Sequence, residues 1–282
     1  MTTTISNGNV SAAINHHGAE LISLTYQGRE YLWDGNPEFW GKHSPVLFPI
    51  VGTLKNDKYL FNDRQYHLNR HGFARDMVFS LESKTDESAT FLLKSDSETL
   101  KVYPFDFELR IVYSVSAEAV TIAYRVSNLG DGQQYFSLGA HPAFALPEPF
   151  ANYALEMVSA KTLVSSLLDN GLLSGRTMTL PLIEGRLPLD YALFDTDALI
   201  FRNAGFHSLT LLENQKPILK VDFEDFPDLG LWTKTGAAFL CIEPWLGYAD
   251  ALDANHQLKE KPGIIALEPA QDFNAQFKIT LL

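Results

Sequence analysis

The chain reads as an all-β protein: one large antiparallel β-sandwich, with residues 1–282 forming a single domain. Three observations carry that expectation. Short apolar runs bounded by turn residues recur at roughly ten-residue spacing, the rhythm of sandwiches and barrels. The sustained 3.6-residue periodicity of amphipathic helices is missing. Nineteen Phe and eleven Tyr against four Met weight the composition towards side chains that suit a pleated surface. At 46 % apolar residues the chain can bury a sizeable core, and no repeat or Pro/Ser-rich linker divides it.

Taken in order, the first thirty residues are short strands separated by "SNGN" (Ser6–Asn9), "HHG" (His16–Gly18) and "YQGRE" (Tyr26–Glu30), each a hairpin-like break. "NPEFWGK" (Asn36–Lys42) fits one helical turn, with Asn36 as N-cap and Pro37 at N1. The clearest strand is "FDFELRIVY", with Phe105, Phe107, Leu109, Ile111 and Tyr113 on one face and Asp106, Glu108 and Arg110 on the other. A second strand carries Val120, Ile122, Tyr124 and Val126 on one face, and the short link between the two predicts an antiparallel hairpin. "ALIFRN", "SLTLLEN", "ILKVDFED", "AFLCIEP" and "FKITLL" repeat the pattern. "SAKTLVSSLLDNG" (Ser159–Gly171) is the nearest approach to a helix, with the glycine as its stop.

A formal charge of −12 argues against nucleic acid or an anionic membrane as partner, because either calls for a basic face. It leaves a small phosphorylated molecule open, since a pocket can be locally basic. The single cysteine, Cys241, permits no intrachain disulfide and fits a reducing compartment. The opening "MTTTISNGNV" has neither a basic n-region nor an apolar h-region, and no apolar run reaches membrane-spanning length. A cytoplasmic location is expected.

The motifs of phosphate-binding loops, Rossmann dehydrogenases, α/β-hydrolases and zincins do not occur. His16 and His17 are adjacent, so on a strand they point to opposite faces and serve no common metal; a turn role suits them better. Three stretches remain: "NRHGFARD" (Asn69–Asp76), "SLGAHPAFALP" (Ser137–Pro147) and "AFLCIEPWLGYAD" (Ala238–Asp250). In the last, an apolar run meets Glu243 and Pro244, as where a strand reaches the rim of a sheet. Singly, each has a plain alternative. His71 or His141 reads as a hydrogen-bonded structural histidine, and Glu243 as a salt-bridged surface carboxylate. Trp33, Trp40, Trp232 and Trp245 read as core aromatics. Only their joint occurrence in this order shifts the balance.

Together with "LFPIVGTLKND" (Leu47–Asp57), the segments "HGFARD" (His71–Asp76), "GAHPAF" (Gly139–Phe144) and "CIEPWLGYAD" (Cys241–Asp250) resemble the aldose 1-epimerase (mutarotase) family over nearly the whole chain. The likeness is strongest to its LacX and hexose-6-phosphate epimerase-like branch. The resemblance implies a galactose mutarotase-like supersandwich with an open sugar cleft, no metal and no cofactor. It implies a sugar or sugar phosphate as partner, and a monomer or homodimer. Carried over by position, it makes His141 the general acid on the ring oxygen, Glu243 the base for the anomeric hydroxyl, and His71 a second histidine at the sugar. Related sequences carry Gly-Arg where this chain has Gly52-Thr53, and nearby Lys55 is the candidate replacement. A sugar-binding aspartate is expected within Leu189–Phe201, with Asp190, Asp195 and Asp197 in competition and Asp197 preferred. Arg75, with Arg70, is a candidate phosphate ligand; the plain reading pairs Arg75 with Asp76. Trp245 and Phe144 would offer an apolar face to the sugar.

Opening a hemiacetal needs a base for the O1 proton and an acid for O5. Ordinary values near 4.3 for Glu and 6.5 for His make the carboxylate the anion and leave the imidazole near half-protonated. Gly139 and Ala140 would let the backbone approach the sugar, while Pro142 biases His141 towards extended geometry. The alternative function is a non-catalytic carbohydrate-binding or sugar-sensing protein on the same scaffold.

Overall fold

The computed structural model describes residues 1–157 and 162–282. Among these the chain is almost entirely antiparallel β, as expected. Two large sheets face one another. A nine-stranded sheet is centred on the hairpin of Phe107–Ser116 and Ala119–Asn128, continued on one side by Asp272–Leu281 and on the other by Ser88–Lys94. An eight-stranded sheet is centred on Phe239–Leu246, flanked by Asp228–Trp232 on one side and by Leu138–Ala140 and Ala143–Ala145 on the other. The N-terminal hairpins form a four-stranded sheet whose strand Val10–Asn15 contacts the central hairpin.

The alternation read from "FDFELRIVY" holds: Phe107, Leu109, Ile111, Tyr113 and Val115 are buried in the core between the sheets, and Ile111 pairs with Tyr124 across the hairpin. Glu108 and Arg110 turn outward and pair with one another at 2.7 Å. Among the described residues no helix is long and apolar enough to cross a membrane.

One local expectation holds and another changes. Asn36–Lys42 makes a single turn with Asn36 as its cap: the Asn36 carbonyl accepts from the N–H of Phe39 and Trp40, and its side chain accepts from the Glu38 N–H. The helix expected from "SAKTLVSSLLDNG" does not form. Residues 159–161 lie outside the described residues, but Leu163–Asp169 is a strand paired with Leu172–Leu180. Asn170 and Gly171, at φ +48° and +80°, close that pair as a two-residue turn. Asn-Gly with both φ positive is the strongest local hairpin signal; reading the glycine as a helix stop overlooked it.

Candidate active site

The central strand Phe239–Leu246 has two working faces. Leu240, Ile242 and Leu246 point into the main core, while Phe239, Cys241, Glu243 and Trp245 alternate onto the outer face. There Trp245 joins one small apolar cluster with Leu47 and Ile200, and Cys241 and Phe239 join another with Trp33. Glu243 lies between them. It sits in mid-strand with neighbours on both sides, not at a rim, and is 1 % exposed.

His141 is its cross-strand partner. Gly139 pairs with Trp245 and Ala143 with Cys241, so the unbroken register sets His141 directly opposite Glu243. Ladder bonding lapses where Pro142 and Pro244 lack N–H groups, although the Pro142 carbonyl still accepts from the Ile242 N–H at 3.1 Å. Opposed residues project on the same face, and His141 Nε2 lies 3.3 Å from Glu243 Oε2. The contact lacks hydrogen-bond geometry. Glu243 Oε2, His141 Nδ1 and Trp245 Nε1 are all buried without a hydrogen-bond partner among the described residues.

Small residues make room for large ones. A Cβ on Gly230 would lie 2.5 Å from the indole of Trp245, and one on Gly139 would lie 2.8 Å from it. The indole therefore lies flat across two strands. Gly139 serves packing against Trp245, where sequence reasoning had assigned it to substrate approach. Phe144, also assigned there, is fully buried in the main core.

His71 comes from a loop clamped by the "LFPIVGT" segment. The Phe48 carbonyl accepts from the N–H of Phe73 and Ala74, and the Gly52 carbonyl accepts from the His71 N–H. His71 adopts φ +70°, as does Gly72, where a Cβ would lie 2.3 Å from the Phe48 carbonyl oxygen; strain of this kind concentrates at functional positions. The Gly52 N–H lies 3.1 Å from His71 Nδ1 and Arg70 Nε lies 3.2 Å from Nε2. A neutral imidazole has one acceptor nitrogen. Both N–H groups are aimed at the ring, and only one can be accepted. The Gly52 amide is fixed main chain and claims Nδ1, so Nε2 carries the proton; the Arg70 Nε–H now directed at Nε2, being on a side chain, is the one that gives way.

These residues line one open cavity of about 360 Å³, within the range of about 300–1,000 Å³ usual for small-molecule sites. Its walls are Trp40, Arg70, His71, Arg75, His141, Asp197, Trp232, Glu243 and Trp245. Trp40 stacks on His141 with ring centres 4.8 Å apart, and His71 meets His141 edge to face. Of the residues singled out in the sequence, His141, Glu243, His71, Arg75, Asp197 and Trp245 are brought together. Asp190 instead caps a turn through the Ala192 N–H. Lys55 does not line the cavity: its Nζ donates to the Ala254 carbonyl, and its backbone N–H to Asp250, which also pairs with buried Lys261. Thr53 is likewise absent from the lining, and Arg70 supplies a guanidinium there, 4.0 Å from Asp197. Sequence reasoning placed Trp40 and Trp232 in the core. The missed signal is Trp40's setting in a turn-rich loop, since loops carry a disproportionate share of binding residues.

Burial reverses the expected charges. It pulls the His141 imidazole down to about 3, with the charges of Arg70 and Arg75 acting the same way. It pushes the Glu243 carboxyl well above its ordinary range; Asp197 reinforces this, while Arg70 and the Trp245 indole oppose it. His71 is also held well below its usual value, by burial first, then by the neighbouring His141 ring and the charges of Arg70 and Arg75. Burial favours a carboxylic acid beside a neutral imidazole. That pair carries the same single proton as the ion pair expected from solution values.

The facing pair of antiparallel sheets, with its cavity on the outer face of one, is the architecture of the galactose mutarotase-like proteins on which the chain superposes. The sequence profile described as Aldose 1-epimerase matches residues 1–280, and the chain belongs to that family. It is 35 % identical over the whole of both chains to "Protein LacX, chromosomal" of Lactococcus lactis subsp. lactis. The galactose mutarotase related enzyme of Lactobacillus acidophilus superposes with a TM-score of 0.94 at 36 % identity, covering 100 % of this chain and 97 % of that one. A galactose mutarotase-like protein from Lactobacillus casei ATCC 334 also gives 0.94, at 30 % identity and full coverage of both chains.

Proposed function

We propose that the protein is an aldose 1-epimerase interconverting the α and β anomers of a hexose or hexose phosphate. The observation that supports this best is the buried Glu243 carboxyl 3.3 Å from His141 Nε2, on the floor of a tryptophan-walled cavity. A pyranose lies over the pair, on the cavity side, with O1–H towards Glu243 and O5 towards His141; the 3.3 Å between the two groups suits two oxygens borne on the same anomeric carbon. The one proton of the pair moves from carboxyl to imidazole without exchange with solvent, and Arg70 favours the resulting carboxylate. Glu243 then takes the O1 proton while His141 protonates O5; the C1–O5 bond breaks and C1 becomes a carbonyl carbon. After rotation about C1–C2, the O5 hydroxyl returns its proton to His141 as it closes on the other face, and Glu243 reprotonates O1. No nucleophile or metal enters these steps.

His71 donates Nε2–H to a sugar oxygen as a neutral group, and Asp197 accepts from sugar hydroxyls. Trp245, Trp232 and Trp40 receive the C–H faces of the ring. Arg70 and Arg75 stand at the mouth, where a phosphate substituent finds charge-assisted donors. Arg75 also donates to the Arg70 carbonyl at 2.7 Å and lies 3.7 Å from Asp76, so Arg70 is the freer of the two.

The test is NMR exchange between anomers of glucose, galactose and glucose 6-phosphate. Glu243→Gln and His141→Asn should each slow exchange about 10²–10⁴-fold, the usual contribution of a positioned acid or base. Unchanged rates in both variants refute the mechanism. Sugar binding without exchange above buffer would mark a sugar-binding protein instead. Arg70→Ala should raise KM for the phosphorylated sugar far more than for the neutral ones if a phosphate is the natural substituent.

A further inference from the structure

One side chain just behind the cavity lining has no part in proton transfer. Cys241, the only cysteine of the chain, is fully buried two residues before Glu243 and on the same face of the strand. Its cross-strand partners are Ala143 on the His141 side, a residue too small to cover the thiol there, and Trp232 on the other. An imidazole nitrogen of His141, the sulfur of Cys241 and a carboxylate oxygen of Glu243 all lie within 4.8 Å of one another. We propose that these three side chains form a binding site for one thiophilic divalent cation, of the Zn²⁺ or Cd²⁺ kind, and that the bound ion blocks the sugar site.

The donor set selects the metal. One sulfur, one imidazole and one carboxylate match the three-protein-ligand sites of zinc, with bond lengths of about 2.3 Å to sulfur and about 2.0–2.2 Å to nitrogen and oxygen. Ligands at those lengths stand closer together than the present spread, so the side chains must close by roughly 1 Å around the ion. Soft thiolate disfavours Mg²⁺ and Ca²⁺, which need six or more oxygen ligands. The charge balances as well. Binding displaces one proton from the thiol and one from the carboxyl to solvent, and two anionic ligands then neutralise the dication in a site that tolerates net charge poorly. Glu243 Oε2 and His141 Nδ1 have no competing hydrogen-bond partner among the described residues. A fourth position faces the open cavity, which provides the entry path and is where the sugar would lie.

The site itself stands on the three side chains; only the blocking of sugar rests on the proposed epimerase activity. Titration of the whole protein with Cd²⁺, followed by the ultraviolet thiolate-to-metal charge-transfer band, reads the site without any need for catalysis. With one cysteine in the chain, the band has a single source. One Cd²⁺ per chain is expected to produce it. Cys241→Ala should abolish the band and weaken Cd²⁺ binding at least tenfold. Glu243→Gln, nearly the same shape, should keep the band and weaken binding by a similar factor, so the result does not hang on one variant's folding. Wild-type binding with no thiolate band, or equal affinity in wild type and both variants, overturns the site. In the second arm, a saturating hexose should raise the apparent Kd for Cd²⁺, and Zn²⁺ should inhibit anomer exchange by the wild type but not by Cys241→Ala, which keeps both acid and base. A thiolate band unaffected by sugar overturns the blocking and leaves the metal site standing.

Discussion

At the scale of single residues, position overrides the ordinary chemistry of a side chain. Solution values assign a charge to Glu243 and half a charge to His141, yet burial at 1 % and 8 % exposure favours the neutral forms of both. This has a consequence for stability. Glu243 is held well above its ordinary value in the folded protein and titrates normally when unfolded. The folded state therefore holds the extra proton, and the stability this group contributes declines as pH rises above about 4.5. For His141, pulled down to about 3, the unfolded state binds the extra proton below about 6.5, so its contribution declines as pH falls through that window. Glu243→Gln removes the first effect only. Its Tm should match wild type near pH 4 and exceed it at pH 8, while anomer exchange is slowed. A Tm difference that shrinks as pH rises would contradict the direction given for Glu243. The residue types at 71, 141 and 243 were legible in the sequence. Their charge states were not, because those depend on what surrounds them.

At the scale of elements, the site is made by register. His141 and Glu243 are about a hundred positions apart and meet because the ladders on either side of the two prolines share one alignment. The same ladders set Gly139 and Gly230 beneath Trp245. Gly230→Ala should displace the indole with the fold retained. The expected result is a KM for sugar raised about tenfold or more, with far-ultraviolet circular dichroism unchanged; wild-type KM would show that the indole is not held there by its glycine floor. Gly72→Ala, at φ +70° against the Phe48 carbonyl, should destabilise by about 2 kcal/mol or more in a urea titration. Strand pairs closed by visible turns, such as Phe107–Ser116 with Ala119–Asn128, were readable from alternation. The strand Leu163–Asp169 was readable only from the Asn170-Gly171 turn that closes it; its own apolar and serine residues follow neither period cleanly.

For the whole molecule, the inter-sheet core fixes the relative placement of everything else. Phe107 touches Phe48, Phe73 and Tyr103, and so links the central hairpin to the two segments that carry and brace His71. Phe107→Ala should lose about 3–5 kcal/mol in urea unfolding. Where protein remains folded, anomer exchange should weaken as well, since the His71 loop loses its backing. A loss below about 1 kcal/mol would mean that the ring is not packed as described.

The amino-acid order alone established the all-β class, the main hairpins and the family motifs that hold both histidines and the glutamate. These are matters of local alternation, turn chemistry and matching segments, which need no knowledge of distant neighbours. Folding settled that Arg70 joins Arg75 at the cavity, which aspartate turns inward, that Lys55 serves Asp250 and Ala254, and that Trp40 from a remote loop joins Trp232 and Trp245 from two strands in walling the site. Those outcomes depend on the register of strands and the packing of loops far apart in the chain, and no short stretch of residues encodes either.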